Sequence, residues 1–163
     1  MNNLILIGMP ASGKSTLGVV LAKTAGMMFL DTDLLIQERA QGKLQHIIDT
    51  EGMDAFLRLE EEVLMSVNAE NTVIATGGSA VYSEPAMTHL KFIGKVVYIK
   101  LSCEEIEKRL NNIKTRGIAM KPGETIRDLY NYRVPMYEKY ADIVLETEGL
   151  TIEESIEKLI SML

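Results

Sequence analysis

Residues 4–16 read LILIGMPASGKST. The apolar run 4–7 reads as a buried strand, the glycines at 8 and 13 as a tight loop, and Lys14-Ser15-Thr16 as the start of a helix. A strand, loop and helix in that order turn backbone N–H groups and the positive end of a helix dipole toward one point, which suits a phosphate. Residues 8–15 match G-x-x-x-x-G-K-[ST] in that context. Lys14 is expected to reach the β- and γ-phosphates, and Ser15 to offer its hydroxyl to Mg²⁺. Gly8 and Gly13 are needed where a side chain would clash or forbid the backbone angles. Gly8, Ala11, Ser12, Gly13, Lys14, Ser15 and Thr16 therefore form the expected nucleotide-binding set, with a nucleoside triphosphate and Mg²⁺ as its occupants.

Outward from this loop, five apolar or β-branched runs alternate with helical patterns: 3–8, 27–30, 72–75, 95–101 and 142–146. Strands separated by helices of this length need crossover connections, so the expected class is α/β, a doubly wound five-stranded parallel sheet flanked by helices. Helix-spaced apolar residues fall at 17–25, 34–39, 55–67, 106–110, 126–140 and 152–162. The stretch IKTRGIAMKPGET, 113–125, interrupts the pattern with two glycines, a proline and several cations. It predicts a lid over about residues 112–124 within one domain spanning 1–163.

Composition narrows the partners. The 163 residues carry a net charge of -6 without a block of Lys and Arg, which argues against a nucleic-acid footprint. No apolar stretch approaches membrane-spanning length, and the start MNNLILIGMP has neither a basic leader nor a small-residue cleavage site. A cytoplasmic monomer is expected, with no membrane or nucleic-acid partner. The single Cys103 fits a reducing compartment. It reads as a half-buried structural thiol, with no helix N-terminus and base to activate it. His46 and His89 stand without partners at catalytic spacing.

The second strand ends in Asp31-Thr32-Asp33. Residues just past the carboxyl ends of neighbouring strands face one crevice, and alternation puts Asp31 and Asp33 on the same side. Phosphoryl transfer needs one carboxylate near Mg²⁺ and one to orient the acceptor alcohol and take its proton. A helix cap is the competing reading of Asp33, which precedes LLIQERA. The third strand ends in Ala75-Thr76-Gly77-Gly78-Ser79, where paired glycines let a ligand approach the backbone.

The phosphate loop, Asp31-Thr32-Asp33, EGMDAFLRLEEEVL at 51–64, TGGSAV at 76–81 and RVPMYEKYAD at 133–142 together resemble the shikimate kinase family, in order and nearly end to end. The resemblance implies a P-loop kinase fold and transfer of the ATP γ-phosphate to a hydroxyl of shikimate. It also implies that Asp31 lies near Mg²⁺, that Asp33 contacts the substrate hydroxyls, and that Gly77 and Gly78 line the acceptor pocket. By the same resemblance Arg133 grips the substrate carboxylate, Arg116 is the lid arginine that approaches the phosphates, and Arg109 packs against adenine.

Three departures alter the acceptor side. The family pattern F-R-x-x-E is here Phe56-Leu57-Arg58-Leu59-Glu60, so Leu57 stands at the pocket arginine. Ser79 stands at the third glycine of G-G-G, and the lid's R-P-L-L is Arg116-Gly117-Ile118-Ala119. A leucine cannot make the charge-assisted bidentate bond by which arginine selects a carboxylate, a loss of about 1.5–3 kcal/mol. Arg58 is one helical step, about 100°, away. Either the helix is rotated so that Arg58 substitutes, or the acceptor differs from shikimate. The expected activity is therefore an ATP-dependent kinase for a small hydroxylated metabolite, shikimate being the best single candidate. A different hydroxylated acceptor and a non-catalytic nucleotide sensor are the rivals. A GTPase is disfavoured because no N-K-x-D motif accompanies Asp49-Thr50-Glu51-Gly52.

Overall fold

A computed structural model of the chain describes residues 2–111 and 118–163. Its centre is a five-stranded sheet built from β1 (Asn3–Ile7), β2 (Met28–Asp31), β3 (Thr72–Ala75), β4 (Gly94–Lys100) and β5 (Ile143–Glu146). The strand order is β2-β3-β1-β4-β5, and every neighbouring pair is parallel. The chain therefore crosses over between strands on helices: α1 (Lys14–Ala25), α2 (Thr32–Ala40), α3 (Leu44–Glu51), α4 (Met53–Ser66), α5 (Glu84–Ile93), α6 (Cys103–Asn111), α7 (Ile126–Tyr140) and α8 (Ile152–Met162).

Strand alternation assigns the two faces. Ile5, Ile7, Ile74, Val96 and Tyr98 join a core with Leu64, Met87, Leu90, Ile106 and Tyr137, which belong to α4, α5, α6 and α7. Leu4, Leu6, Val73, Val97 and Ile99 face the other way, onto Leu17 and Leu21 of α1 and Ile156 and Leu159 of α8. Both faces are covered, which is why the strands read as continuous apolar runs. A smaller cluster of Ile36, Leu44, Ile47, Phe56, Val63 and Ala119 packs α2, α3 and α4 together beside the carboxyl ends of the strands.

The doubly wound class expected from the sequence is what the sheet shows. Two helices escaped the apolar-spacing reading. In α5, Ser83 caps the Ala86 N–H and Pro85 falls in the first turn, where its missing N–H costs nothing. In α3, the short apolar face is held by the packing of α4. Among the described residues, no helix is long and apolar enough to cross a membrane.

Candidate active site

The loop after β1 is shaped for an anion by its backbone. Gly8 (φ 149°), Ala11 (φ 63°) and Gly13 (φ 89°) all have positive φ. At Gly8 a β-carbon would stand 2.7 Å from the Ile99 carbonyl oxygen, so a side chain is excluded by contact as well as by angle. Ala11 holds a left-handed conformation that costs an alanine roughly 1–2 kcal/mol, a strain concentrated at the functional loop. Gly13 caps α1 with no side-chain hydrogen bond, and the first turn holds no acidic residue. The N–H groups of that turn thus face the loop. Lys14 is buried, and its Nζ donates to the carbonyls of Gly8 (2.9 Å) and Met9 (2.8 Å) and to Ser12 Oγ (3.3 Å). Its ammonium is already stationed over the loop.

Ser15 Oγ donates to Asp31 Oδ2 at 2.9 Å. A hydroxyl and a carboxylate meeting beside a phosphate loop are the hard oxygen donors that Mg²⁺ takes. Among the described residues no group of three or more His, Cys, Asp or Glu could hold a metal. A cation here would therefore draw its other ligands from phosphate and water, the usual arrangement for Mg²⁺.

Asp31 and Asp33 share a side, but not by strand alternation. The strand stops at Asp31, whose Oδ1 accepts the Asp33 N–H at 2.9 Å and caps α2. The cap is Asp31, and Asp33 is freed from that role to face the cavity. This cavity, about 110 Å³, is lined by Lys14, Ser15, Asp33, Glu60, Gly77, Gly78, Ser79 and Arg133, among others. It thus joins the phosphate loop to the ends of β2 and β3 and to α4 and α7.

The paired glycines are demanded by proximity. A β-carbon at Gly77 would lie 2.7 Å from Asp33 Oδ1 and 2.9 Å from Glu60 Oε2, and one at Gly78 would lie 2.8 Å from Arg133 Nη1 and 2.9 Å from Pro10 Cδ. Tyr137 Oη donates to the Gly78 carbonyl at 2.6 Å, fixing this turn from beneath. Arg133, only 1% exposed, donates from Nε to Tyr82 Oη at 2.9 Å and from Nη2 to the Ala119 carbonyl at 3.0 Å. Its guanidinium lies 5.0 Å from the Tyr82 ring centroid.

Glu60 is the site residue that sequence reasoning did not single out. It is 2% exposed, and Ser79 Oγ donates to its Oε1 at 2.6 Å. Burial pushes its carboxyl up from 4.5 to about 7, with Asp33 adding to the rise while the Ser79 bond and Arg133 oppose it. The only signal in the sequence was the last letter of F-R-x-x-E.

Leu57 lies half-buried in a neighbouring groove with Met53, Val81, Tyr82, Ala119 and Tyr132, and Ala119 borders both that groove and the cavity. Arg58 is exposed and lines neither. Arg116 lies outside the described residues. On the far side of the phosphate loop, Ser12, Gly13, Thr16, Arg109, Leu150 and Ile152 border a second cavity of about 250 Å³. There Arg109 Nη1 donates to the Ala11 carbonyl at 3.2 Å and Nε to Glu105 at 3.0 Å.

Cys103 does begin α6, contrary to the sequence reading. Burial, and then its hydrogen bond to Glu107, push the thiol up to about 11, which disfavours the thiolate despite the helix terminus. His89 Nε2 meets the Val67 carbonyl at 2.7 Å, a structural contact.

Comparison with known proteins converges on one family. The model described as "Shikimate kinase" matches residues 10–163. A shikimate kinase of Pseudomonas paraeruginosa is 37% identical over 166 residues, covering 98% of this chain and 96% of that protein. The solved shikimate kinase from Acinetobacter baumannii, in complex with shikimate, superposes with a TM-score of 0.89 at 30% identity, covering 99% of this chain and 92% of that one. That of Aquifex aeolicus gives 0.83 at 32% identity, covering 98% and 94%. Fold, loop geometry and these likenesses together establish that the chain belongs to the shikimate kinase family.

Proposed function

We propose that the chain transfers the γ-phosphoryl group of ATP to a hydroxyl of shikimate. The observation that carries this reading is the convergence, in one cavity, of Lys14 and Ser15 from the donor side with Asp33 and Arg133 from the acceptor side. The amides of the loop and Lys14 hold the β- and γ-phosphates. Ser15 and Asp31 hold Mg²⁺, which when bound neutralises charge on the transferring group. Asp33 orients the acceptor hydroxyl and takes its proton. Arg133, stiffened by Tyr82, presents a fork suited to a carboxylate. Arg109 and its cavity take the adenine.

The cavity is smaller than the roughly 300–1,000 Å³ usual for small-molecule sites. Ala119 closes one wall and its carbonyl occupies Arg133 Nη2. We therefore assign the stretch around Ala119, part of the lid expected over about residues 112–124, to a cover that withdraws to admit the acceptor and then returns to exclude water; the role of Arg116 at the phosphates rests on the family resemblance alone. We read residues 1–163 as one domain, in which a single chain supplies both halves of the site. A monomer in the cytoplasm, needing neither nucleic acid nor membrane, fits that arrangement and the lone reduced thiol.

Leu57 keeps a second reading in view, a different small hydroxylated acceptor. ADP release measured with shikimate and with a panel of other hydroxy acids and polyols separates the two: shikimate is expected to stimulate most. Stimulation by another acceptor and not by shikimate would select the second reading.

A further inference from the structure

Nε and Nη2 are the two donors of one edge of the Arg133 guanidinium, and side by side such a pair grips a carboxylate. Here they give to two different oxygens, Nε to Tyr82 Oη at 2.9 Å and Nη2 to the Ala119 carbonyl at 3.0 Å. The other amino nitrogen, Nη1, lies against the glycine turn, 2.8 Å from where a β-carbon of Gly78 would stand. An acceptor carboxylate therefore does not find the whole edge open. When the Ala119 carbonyl leaves, one carboxylate oxygen can replace it at Nη2, but the place at Nε is filled by a phenol.

That phenol brings a proton. A tyrosine hydroxyl both accepts and donates, and the Tyr82 hydroxyl accepts from Arg133 while donating to no partner among the described residues. Its backbone is held on both sides: Ala80 and Val81, which precede it in a short 3-10 turn, are buried, and Ser83 after it caps α5. The ring lies 5.0 Å from the guanidinium, a cation–π contact that ties the side chain to the same cation. Tyr82 also borders the groove that Leu57 and Ala119 share. It thus stands on the side of Ala119 where the arginine of the family pattern is missing.

We propose that Tyr82 is an acceptor-binding residue: its hydroxyl, held at Arg133 Nε, donates to the carboxylate oxygen that replaces the Ala119 carbonyl at Nη2, and so supplies the second grip that Leu57 cannot make. Oxygens received by the two donors of one guanidinium edge stand next to each other, which brings the phenol proton to the carboxylate. The assignment rests on the shikimate kinase reading of the cavity and adds to it how a site with one arginine selects an acid.

The test is steady-state kinetics of wild type and Tyr82→Phe, with shikimate and with the analogue carrying hydrogen in place of the carboxyl group. Phenylalanine keeps the ring beside Arg133 and removes only the hydroxyl. With shikimate, KM is expected to rise about tenfold while kcat stays within about twofold and the KM for ATP is unchanged. With the analogue, the wild-type KM is already raised and Tyr82→Phe adds nothing, the signature of a shared contact. An unchanged or lowered KM for shikimate would mean that the carboxylate does as well on the bared edge, and overturns the inference. The same penalty with the analogue as with shikimate overturns it too. If wild type does not turn over shikimate, the shikimate reading fails separately. The comparison then passes to whichever hydroxy acid of the acceptor panel is phosphorylated, where equal KM values for wild type and variant overturn the role of Tyr82, as does a preference for acceptors with no carboxylate.

Discussion

Glu60→Gln should stabilise the protein at alkaline pH and lose that advantage in acid. In the unfolded chain this carboxyl titrates near 4.5, and in the folded chain burial moves it to about 7. Between those values the folded state holds a proton that the unfolded state has released, so stability falls as pH rises through the window. The cost is complete above about 7 and absent well below 4.5. A gap of that size corresponds to about 3 kcal/mol, of which about 2–3 kcal/mol develops between pH 5 and pH 8. Asp33, Arg133, Ser79 and Tyr137 face the carboxyl and are unchanged in the variant, and any fixed cost of burying an amide cancels between the two pH values. Urea unfolding of both proteins at pH 5 and pH 8 reads the difference directly. In melting temperature it amounts to roughly 5–12 °C for a chain of this size. A wild-type-to-variant difference that is equal at both pH values would refute the claim that Glu60 is buried beside Asp33 without adequate compensation.

Three substitutions probe the rest of the site. Asp33→Asn should lower acceptor-dependent turnover about 10²–10⁴-fold while calorimetry still detects ATP; unchanged turnover removes Asp33 from proton transfer. Arg133→Lys should raise the shikimate KM about 10- to 100-fold, because a point charge cannot reproduce the fork that Tyr82 and Ala119 now hold, and an unaltered KM would detach Arg133 from the carboxylate. Leu57→Arg should tighten shikimate binding about tenfold once Ala119 withdraws from the wall it shares with the groove; no gain would confine position 57 to the groove.

The sheet was legible because its strands are buried on both faces. The run 72–75 is β3 residue for residue, and 95–101 differs from β4 by one position at each end. The phosphate loop was legible for a different reason: Gly8, Gly13 and Lys14 are constrained by backbone angle and charge, which leave marks in residue type. Asp31 and Asp33 were placed together for a reason that did not hold, since a helix cap and not strand alternation turns them. The helix α5 was hidden by Pro85, which reads as a breaker until its first-turn position is known. Glu60 was hidden because nothing local distinguishes a buried glutamate from the exposed Glu62 two residues on. Only the arrival of Gly77, in the turn after β3, against α4 closes water away from it. The orientation of Leu57 and Arg58 likewise depends on how α4 meets Ala119, a tertiary fact.

Incubation of the purified chain with ATP, Mg²⁺ and shikimate, followed by mass spectrometry of the small molecules, measures transfer most directly. The expected result is a shikimate monophosphate formed in step with ADP, and no such product from Lys14→Met. ADP without phosphorylated shikimate, or product undiminished in Lys14→Met, would contradict the assignment of the loop as the donor clamp for this acceptor.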